Sequence, residues 1–188
     1  MKILLLSDSH AALRFMMDCV EAVKPDVLIH LGDYADDGAA LHESYPHIPL
    51  YQVPGNCDRY RWDSREPEIL VPTIGGVRLY LAHGHQHHVK QFLGDLTRAA
   101  RGSGAQAALY GHTHQADCHR EEDGLWVINP GSCGFYGGTA GLMEIREGKI
   151  QDCRILTHQD CSFVNDVKLQ KSERVSSSDI GFADGGRA

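Results

Sequence analysis

AQAALYGHTH, residues 105–114, is an apolar run that breaks at a glycine and delivers two histidines separated by one threonine. A continuous strand would hold His112 and His114 on one face, since alternate side chains share a face. Broken at Gly111, the two imidazoles can instead turn towards two neighbouring points, which is how metal ligands are placed. The same design, a short apolar run ending in a polar tip, recurs elsewhere. Residues 3–6 lead into Asp8-Ser9-His10, residues 26–31 into Gly32-Asp33, residues 48–53 into Gly55-Asn56-Cys57-Asp58, and residues 77–81 into His83-Gly84-His85. Five strand ends therefore carry carboxylates, imidazoles or an amide.

The segments between these tips set the fold class. Leu13, Met16, Met17, Val20 and Val23 recur at helical spacing and stop at Lys24-Pro25. A short helix is expected within residues 36–45, stopped by Pro46, and another over 88–101 from the positions of Val89, Phe92, Leu93 and Leu96. Residues 69–71 and 77–81 read as a hairpin around Gly75-Gly76, and residues 59–66, with Tyr60 and Trp62, as a loop that caps the site or an interface. Residues 115–119, 125–128, 139–146 and 150–156 read as four short strands forming an antiparallel second half. Alternating strands and helices followed by hairpins predict an α/β sandwich whose ligand crevice lies beyond the carboxyl ends of its strands. The domain is expected over residues 1–160, with 161–188 a polar C-terminal extension of low apolar density.

Composition narrows the partners. A formal charge of −7 opposes binding to nucleic acid or an acidic membrane surface. The apolar run at residues 3–6 is too short for a signal h-region, and no stretch approaches the ~20 apolar residues of a membrane span. Six cysteines without a CxxC pair read as reduced core residues, so the expected location is cytoplasmic. Twelve histidines are the compositional anomaly, clustered near 83–88 and 112–119.

Together the tips offer Asp8, His10, Asp33, Asn56, His83, His112 and His114, an oxygen and nitrogen set without thiolate. Such donors suit manganese first, with iron, nickel, cobalt or zinc as alternatives, and seven exceed the needs of one ion. Two divalent ions would share a carboxylate bridge, for which Asp33 is the choice, and would make a bridging hydroxide available near neutrality as a nucleophile towards a phosphate ester.

In order, D-x-H at 8–10, GD at 32–33, GN at 55–56, HGH at 83–85 and GHTH at 111–114 resemble the metallophosphoesterase, or calcineurin-like phosphoesterase, superfamily over roughly residues 1–157. The short chain, GNCD at 55–58 and Asn129-Pro130-Gly131-Ser132 are similar to its small YfcE-type phosphodiesterase branch, which also resembles the retromer scaffold subunit. The resemblance implies a four-layer αββα sandwich of two mixed β-sheets flanked by helices, with the metal site at the carboxyl ends of the strands. It implies one metal on Asp8, His10, Asp33 and His114 and a second on Asp33, Asn56, His83 and His112. It further implies a phosphodiesterase acting on a small phosphate ester. The alternatives are a phosphomonoesterase or a non-catalytic interaction scaffold, and a homo-oligomer is compatible with either. Many members carry a histidine after GN where this chain has Cys57. Asp58 is then expected to orient a ligand histidine or a water, and His85 to reach the substrate, giving Asn56, Asp58 and His85 as candidate catalytic side chains.

Taken singly, several of these residues have plainer readings. Asp8 could cap the following helix, Asp33 and Gly55-Asn56 could be turn chemistry, and Gly131 and Gly134 would serve a tight loop around Ser132. His87, His88, His119 and His158 read as solvated, His30 and His42 as structural, and Tyr34, Asp36 and Asp37 as a solvated loop. The ordered co-occurrence of five motifs is what outweighs the plain readings of the ligand set.

Overall fold

A computed structural model describes residues 1–58 and 67–161. The loop at 59–66 and, apart from Cys161, the expected polar extension lie outside the described residues. Strands β1 (Lys2–Leu6), β2 (Val27–His30) and β3 (Leu50–Gln52) run parallel, linked by helices α1 (Leu13–Val23) and α2 (Ala35–Ser44). β4 (Ile69–Leu70), β5 (Thr73–Ile74) and β6 (Val77–Ala82) follow, then α3 (Gly94–Gly102), β7 (Ala107–Leu109), β8 (Asp117–Arg120), β9 (Trp126–Asn129), β10 (Thr139–Arg146) and β11 (Lys149–Thr157). One sheet has the order β11-β10-β1-β2-β3; the other runs β4-β6-β7-β9-β8, with β5 also on β6.

Strand pleating turns this order into four layers. Ile3 and Leu5 of β1 meet Leu79, Leu81, Leu109 and Ile128 of the other sheet, while Leu4 and Leu6 face Met16, Cys19 and Val20 of α1. On the far side Tyr80 and Ala82 of β6 pack with Leu96 and Ala100 of α3. Leu4, Leu5, Leu81 and Leu96 are wholly buried, and at ~25 cal/mol per Å² such apolar burial is what holds the layers together.

Three expectations change. The late strands do not form one antiparallel half: β8 and β9 join the second sheet, where β9 runs parallel to β7, whereas β10 returns to pair with β1 and β11 pairs outside β10. Periodicity along a strand carries no information about which sheet recruits it. The hairpin is divided at Pro72, so that β5 alone makes the Gly75-Gly76 turn and β4 pairs farther along β6. The helix expected from residue 88 begins at Gly94. His88 is left-handed (φ 54°), Val89 packs over Gly84, and His87 Nε2 lies 2.9 Å from the Tyr80 hydroxyl, which ties the preceding segment to β6.

Candidate metal centre

All five motif-bearing strands, β1, β2, β3, β6 and β7, end on the same edge of the sandwich, and their tips meet there. Ligand-capable atoms of Asp8, His10, Asp33 and His114 all lie within 4.8 Å of one another. His83 Nε2 is 3.5 Å from Asp33 Oδ1, and the His83 and His112 rings are 5.0 Å apart. Asp8, His10, Asp33, His112 and His114 all have positive φ, between 43° and 68°. Each such residue costs on the order of 1–2 kcal/mol. The strain turns neighbouring side chains, His112 and His114 among them, out of strand alternation.

Hydrogen bonds fix the orientation of each group. Asp8 Oδ2 accepts from Ser7 Oγ at 2.6 Å and from the His112 amide at 3.0 Å, leaving Oδ1 to face the cluster. His83 Nδ1 lies 2.7 Å from the Leu31 carbonyl; a carbonyl can only accept, so Nδ1 carries the proton and Nε2 presents its lone pair. Asp33 Oδ1 accepts from the Cys57 amide at 2.9 Å. Asp8 Oδ1, His10 Nε2, Asn56 Oδ1 and His83 Nε2 are buried with no hydrogen-bond partner among the described residues. His114 Nε2 lies 3.1 Å from that Asp8 oxygen. Buried groups left this way are costly, and a divalent cation would satisfy several at once. The donor set therefore fits a metal.

Burial, with Asp33 adding its like charge, pushes Asp8 up to about 7. For Asp33 burial acts upward, but the His83 imidazole and the Cys57 amide outweigh it and hold the carboxyl below its ordinary value. Burial lowers His83 and His112 to about 4, and His114 is lowered for the same first reason, so the imidazoles are neutral and ligand-ready at neutral pH. Burial and then Asp33 raise the Cys57 thiol to about 11, so it offers no thiolate.

His30 stands behind the cluster, fully buried, with Nε2 3.2 Å from Ser9 Oγ, and burial lowers it from 6.5 to about 4. Between those values the unfolded chain binds a proton that the native chain refuses, so stability is present above pH 6.5 and drains as pH falls towards 4. Linkage sets the loss at about 3 kcal/mol across that window. Urea unfolding with chelator present is expected to show a shallower acid slope in His30→Gln than in the parent. Equal slopes would rule His30 out as its source.

Several neighbours differ from expectation. Asp58 has a structural task that the expectation did not include: its two oxygens accept the Ala35 and Gly55 amides at 2.9 and 2.8 Å, stapling the loop after β2 to the loop after β3. A carboxylate three residues past a turn glycine reaches back to that loop's own backbone. His85 sits beside the cluster, its ring 5.5 Å from that of His83 and 6.1 Å from that of His112. Asp8 caps nothing, since α1 starts after Ala12 without a side-chain cap. Asp36 and Asp37 lie in the first turn of α2, and Asp37 accepts from Ser9 Oγ and the Ala11 amide. His87 is buried against Tyr80 rather than solvated. The sequence reading passed over Ser7, Lys90 and Phe135. Lys90 acts electrostatically on Asp8, His112 and His114, and the Phe135 ring stacks 5.1 Å from that of His114. Of these, the Gly-Phe-Tyr-Gly-Gly run at 134–138 was the visible signal, because exposed aromatics between glycines have no core role.

Two curated relatives and two solved structures illustrate the likeness. The chain is 33% identical over 135 residues to the probable metallophosphoesterase YsnB of Bacillus subtilis, covering 70% of this chain and 75% of that one. It is 24% identical over 169 residues to phosphodiesterase MJ0936 of Methanocaldococcus jannaschii, covering 81% and 98%. The fold matches YfcE, a phosphoesterase from E. coli, with TM-score 0.56 at 19% identity over 82% and 98% of the two chains. It also matches zinc-complexed Vps29 from Entamoeba histolytica, with TM-score 0.64 at 18% identity over 84% and 99%. The model of the calcineurin-like phosphoesterase superfamily domain matches residues 1–148, a span that takes in all five strand-end motifs. On that match the chain belongs to the calcineurin-like phosphoesterase superfamily, as a metal-dependent phosphoesterase.

Proposed function

We propose that the protein is a phosphodiesterase that holds two divalent ions, manganese first among them, and hydrolyses a small phosphate ester. The observation that carries this reading is the clustering of Asp8, His10, Asp33 and His114, with ligand-capable atoms within 4.8 Å of one another, where Asp8 Oδ1 and His10 Nε2 are buried without a hydrogen-bond partner among the described residues. When bound, the two ions would supply Lewis-acid charge and a hydroxide at neutral pH as the attacking group. Around them the chain's own residues have distinct tasks. Ser7 and the His112 amide aim Asp8, the Leu31 carbonyl fixes the His83 tautomer, and Asp58 keeps the Asp33 and Asn56 loops in register. Lys90 adds positive charge that reaches Asp8, His112 and His114 and would favour an anionic substrate. The diester preference draws support from the phosphodiesterase relative.

The test is to strip the protein with chelator, reload it with Mn²⁺, count bound metal, and compare hydrolysis of bis-p-nitrophenyl phosphate with that of p-nitrophenyl phosphate. Two ions per chain and faster diester turnover are expected. Faster monoester turnover would make it a phosphomonoesterase, and absence of both metal and turnover would favour an interaction scaffold.

The division of ligands has its own test. His114 belongs to the Asp8, His10 and Asp33 group, whereas His112 lies beside His83. His112→Ala and His114→Ala are each expected to weaken a different ion, leaving about one ion per chain and lowering kcat/KM on the order of 100-fold. Crystals of the two variants in which the same position is emptied would refute the split.

A further inference from the structure

Three exposed aromatic rings stand on the His10 and His114 side of the cluster, and none has a part in the chemistry above. Tyr34 is 43% exposed, Phe135 44% and Tyr136 87%. They make up three of the five exposed large hydrophobic side chains among the described residues, the others being Met1 and Phe92. The Tyr34 ring is 4.8 Å from that of His10. The Phe135 ring is 4.9 Å from that of His10 and stacks on His114, with Tyr136 6.4 Å beyond it. Leaving aromatics in water forfeits their burial energy. Here the backbone adds strain as well, since Tyr34 and Tyr136 are left-handed at φ 69° and 54°.

The platform is also anchored to the metal ligands. Ser132 Oγ donates to the Asp8 carbonyl at 2.7 Å and accepts from the Gly134 and Phe135 amides at 3.2 Å, so the Phe135 segment is held to the same strand end that presents Asp8. Beside it lies a cleft of about 450 Å³ lined by His114, Gln115, Phe135, Tyr136 and Thr139. That volume suits a small molecule. Gln115 and Thr139 carry amide and hydroxyl groups of the kind that read the polar edge of a base.

We propose that the site takes a nucleotide-type substrate, a phosphate ester whose planar base lies against Phe135 and Tyr136 while its phosphate sits at the histidine and carboxylate cluster. This rests on the phosphoesterase reading for the second half of that statement. The net charge of −7 and the size of the cleft favour a single nucleotide over a nucleic-acid strand.

Calorimetry on Mn²⁺-loaded protein with AMP and with ribose 5-phosphate isolates the base, because the phosphate is common to both. AMP is expected to bind at least ~5-fold tighter, the low end of what aromatic stacking contributes. Phe135→Ala is expected to collapse that ratio and Phe135→Trp to keep it, with metal content measured in each because Phe135 touches His114. Equal affinities in the parent, or an unchanged ratio in both Phe135→Ala and Tyr136→Ala, would overturn the proposal. So would a dimer that Tyr136→Ala dissociates while the AMP ratio stays unchanged, since the rings would then belong to an interface between copies. Hydrolysis separates this inference from the one beneath it, using thymidine 5′-p-nitrophenyl phosphate and methyl p-nitrophenyl phosphate, which share a leaving group. Preference for AMP without turnover of either ester would remove the phosphoesterase reading and keep base recognition. Turnover of both esters at equal kcat/KM, with AMP no tighter than ribose 5-phosphate, would do the reverse.

Discussion

Asp33→Asn is expected to lower kcat/KM at least ~10³-fold, because Asp33 is the proposed bridge, and the several kcal/mol that bound metal ions contribute to a phosphoryl-transfer transition state would disappear with a ligand that both proposed sites share. The substitution is close to isosteric. The amide oxygen can still accept the Cys57 N–H that Asp33 Oδ1 now accepts at 2.9 Å, so the loop after β3 keeps its anchor. What is lost is one negative charge, 3.5 Å from His83 Nε2 and near enough to Asp8 to help raise that carboxyl to about 7. Removing it relieves the metal-free protein of like-charge repulsion while depriving the loaded protein of its proposed bridge. Thermal unfolding in chelator should therefore show the variant at least as stable as the parent, whereas the stabilisation by added Mn²⁺, about 2.7 kcal/mol at a hundredfold excess over Kd, should vanish. A variant that still bound two ions and turned over would exclude Asp33 as the bridge.

The contrast between Asp33 and Asp58 shows where the sequence is informative. Asp33 could be read because its motif is local: a buried strand, a glycine, then a carboxylate at the carboxyl end. Five such tips in order define both the sheet edge and the candidate ligand set. The role of Asp58 depends on which backbone amides fold back to meet it, Ala35 from one loop and Gly55 from another, and no local pattern encodes a contact 23 residues away. The same limit explains β10 and β11. Their alternation was legible, but the place of β10 beside β1, with β11 outside it, follows from burying Met143 and Ile145 between the sheets with Ile3 and Leu5. His88 and the late start of α3 are a third case, where apolar spacing continues through a segment whose backbone is pinned by His87 and Val89. Tertiary contact there overrides helical periodicity.

Gly55→Ala carries the second large effect, and its cause is steric. Gly55 is not among the glycines with positive φ, so an alanine there is conformationally permitted. A Cβ on Gly55, however, would overlap the Asp33 carboxylate and backbone amide and come within 2.8 Å of Asp33 Cγ. The loop cannot retreat freely, because the Gly55 amide donates to Asp58 Oδ2, whose other oxygen holds Ala35 next to Asp33 and Tyr34. The strain must move Asp33 itself. Displacing a reactive group by an ångström costs on the order of 100-fold in rate, and overpacking of this kind costs about 1–3 kcal/mol in stability. Gly102→Ala supplies the contrast, since a Cβ at the end of α3 meets nothing within 4 Å. Its stability is expected within about 0.5 kcal/mol of the parent. Measuring Mn²⁺ affinity, kcat/KM and urea midpoint for both variants decides the matter. If Gly55→Ala binds metal and turns over like Gly102→Ala, then Asp33 has room to move that the packing around Gly55 denies it, and the close approach of the two loops does not set the geometry of the site.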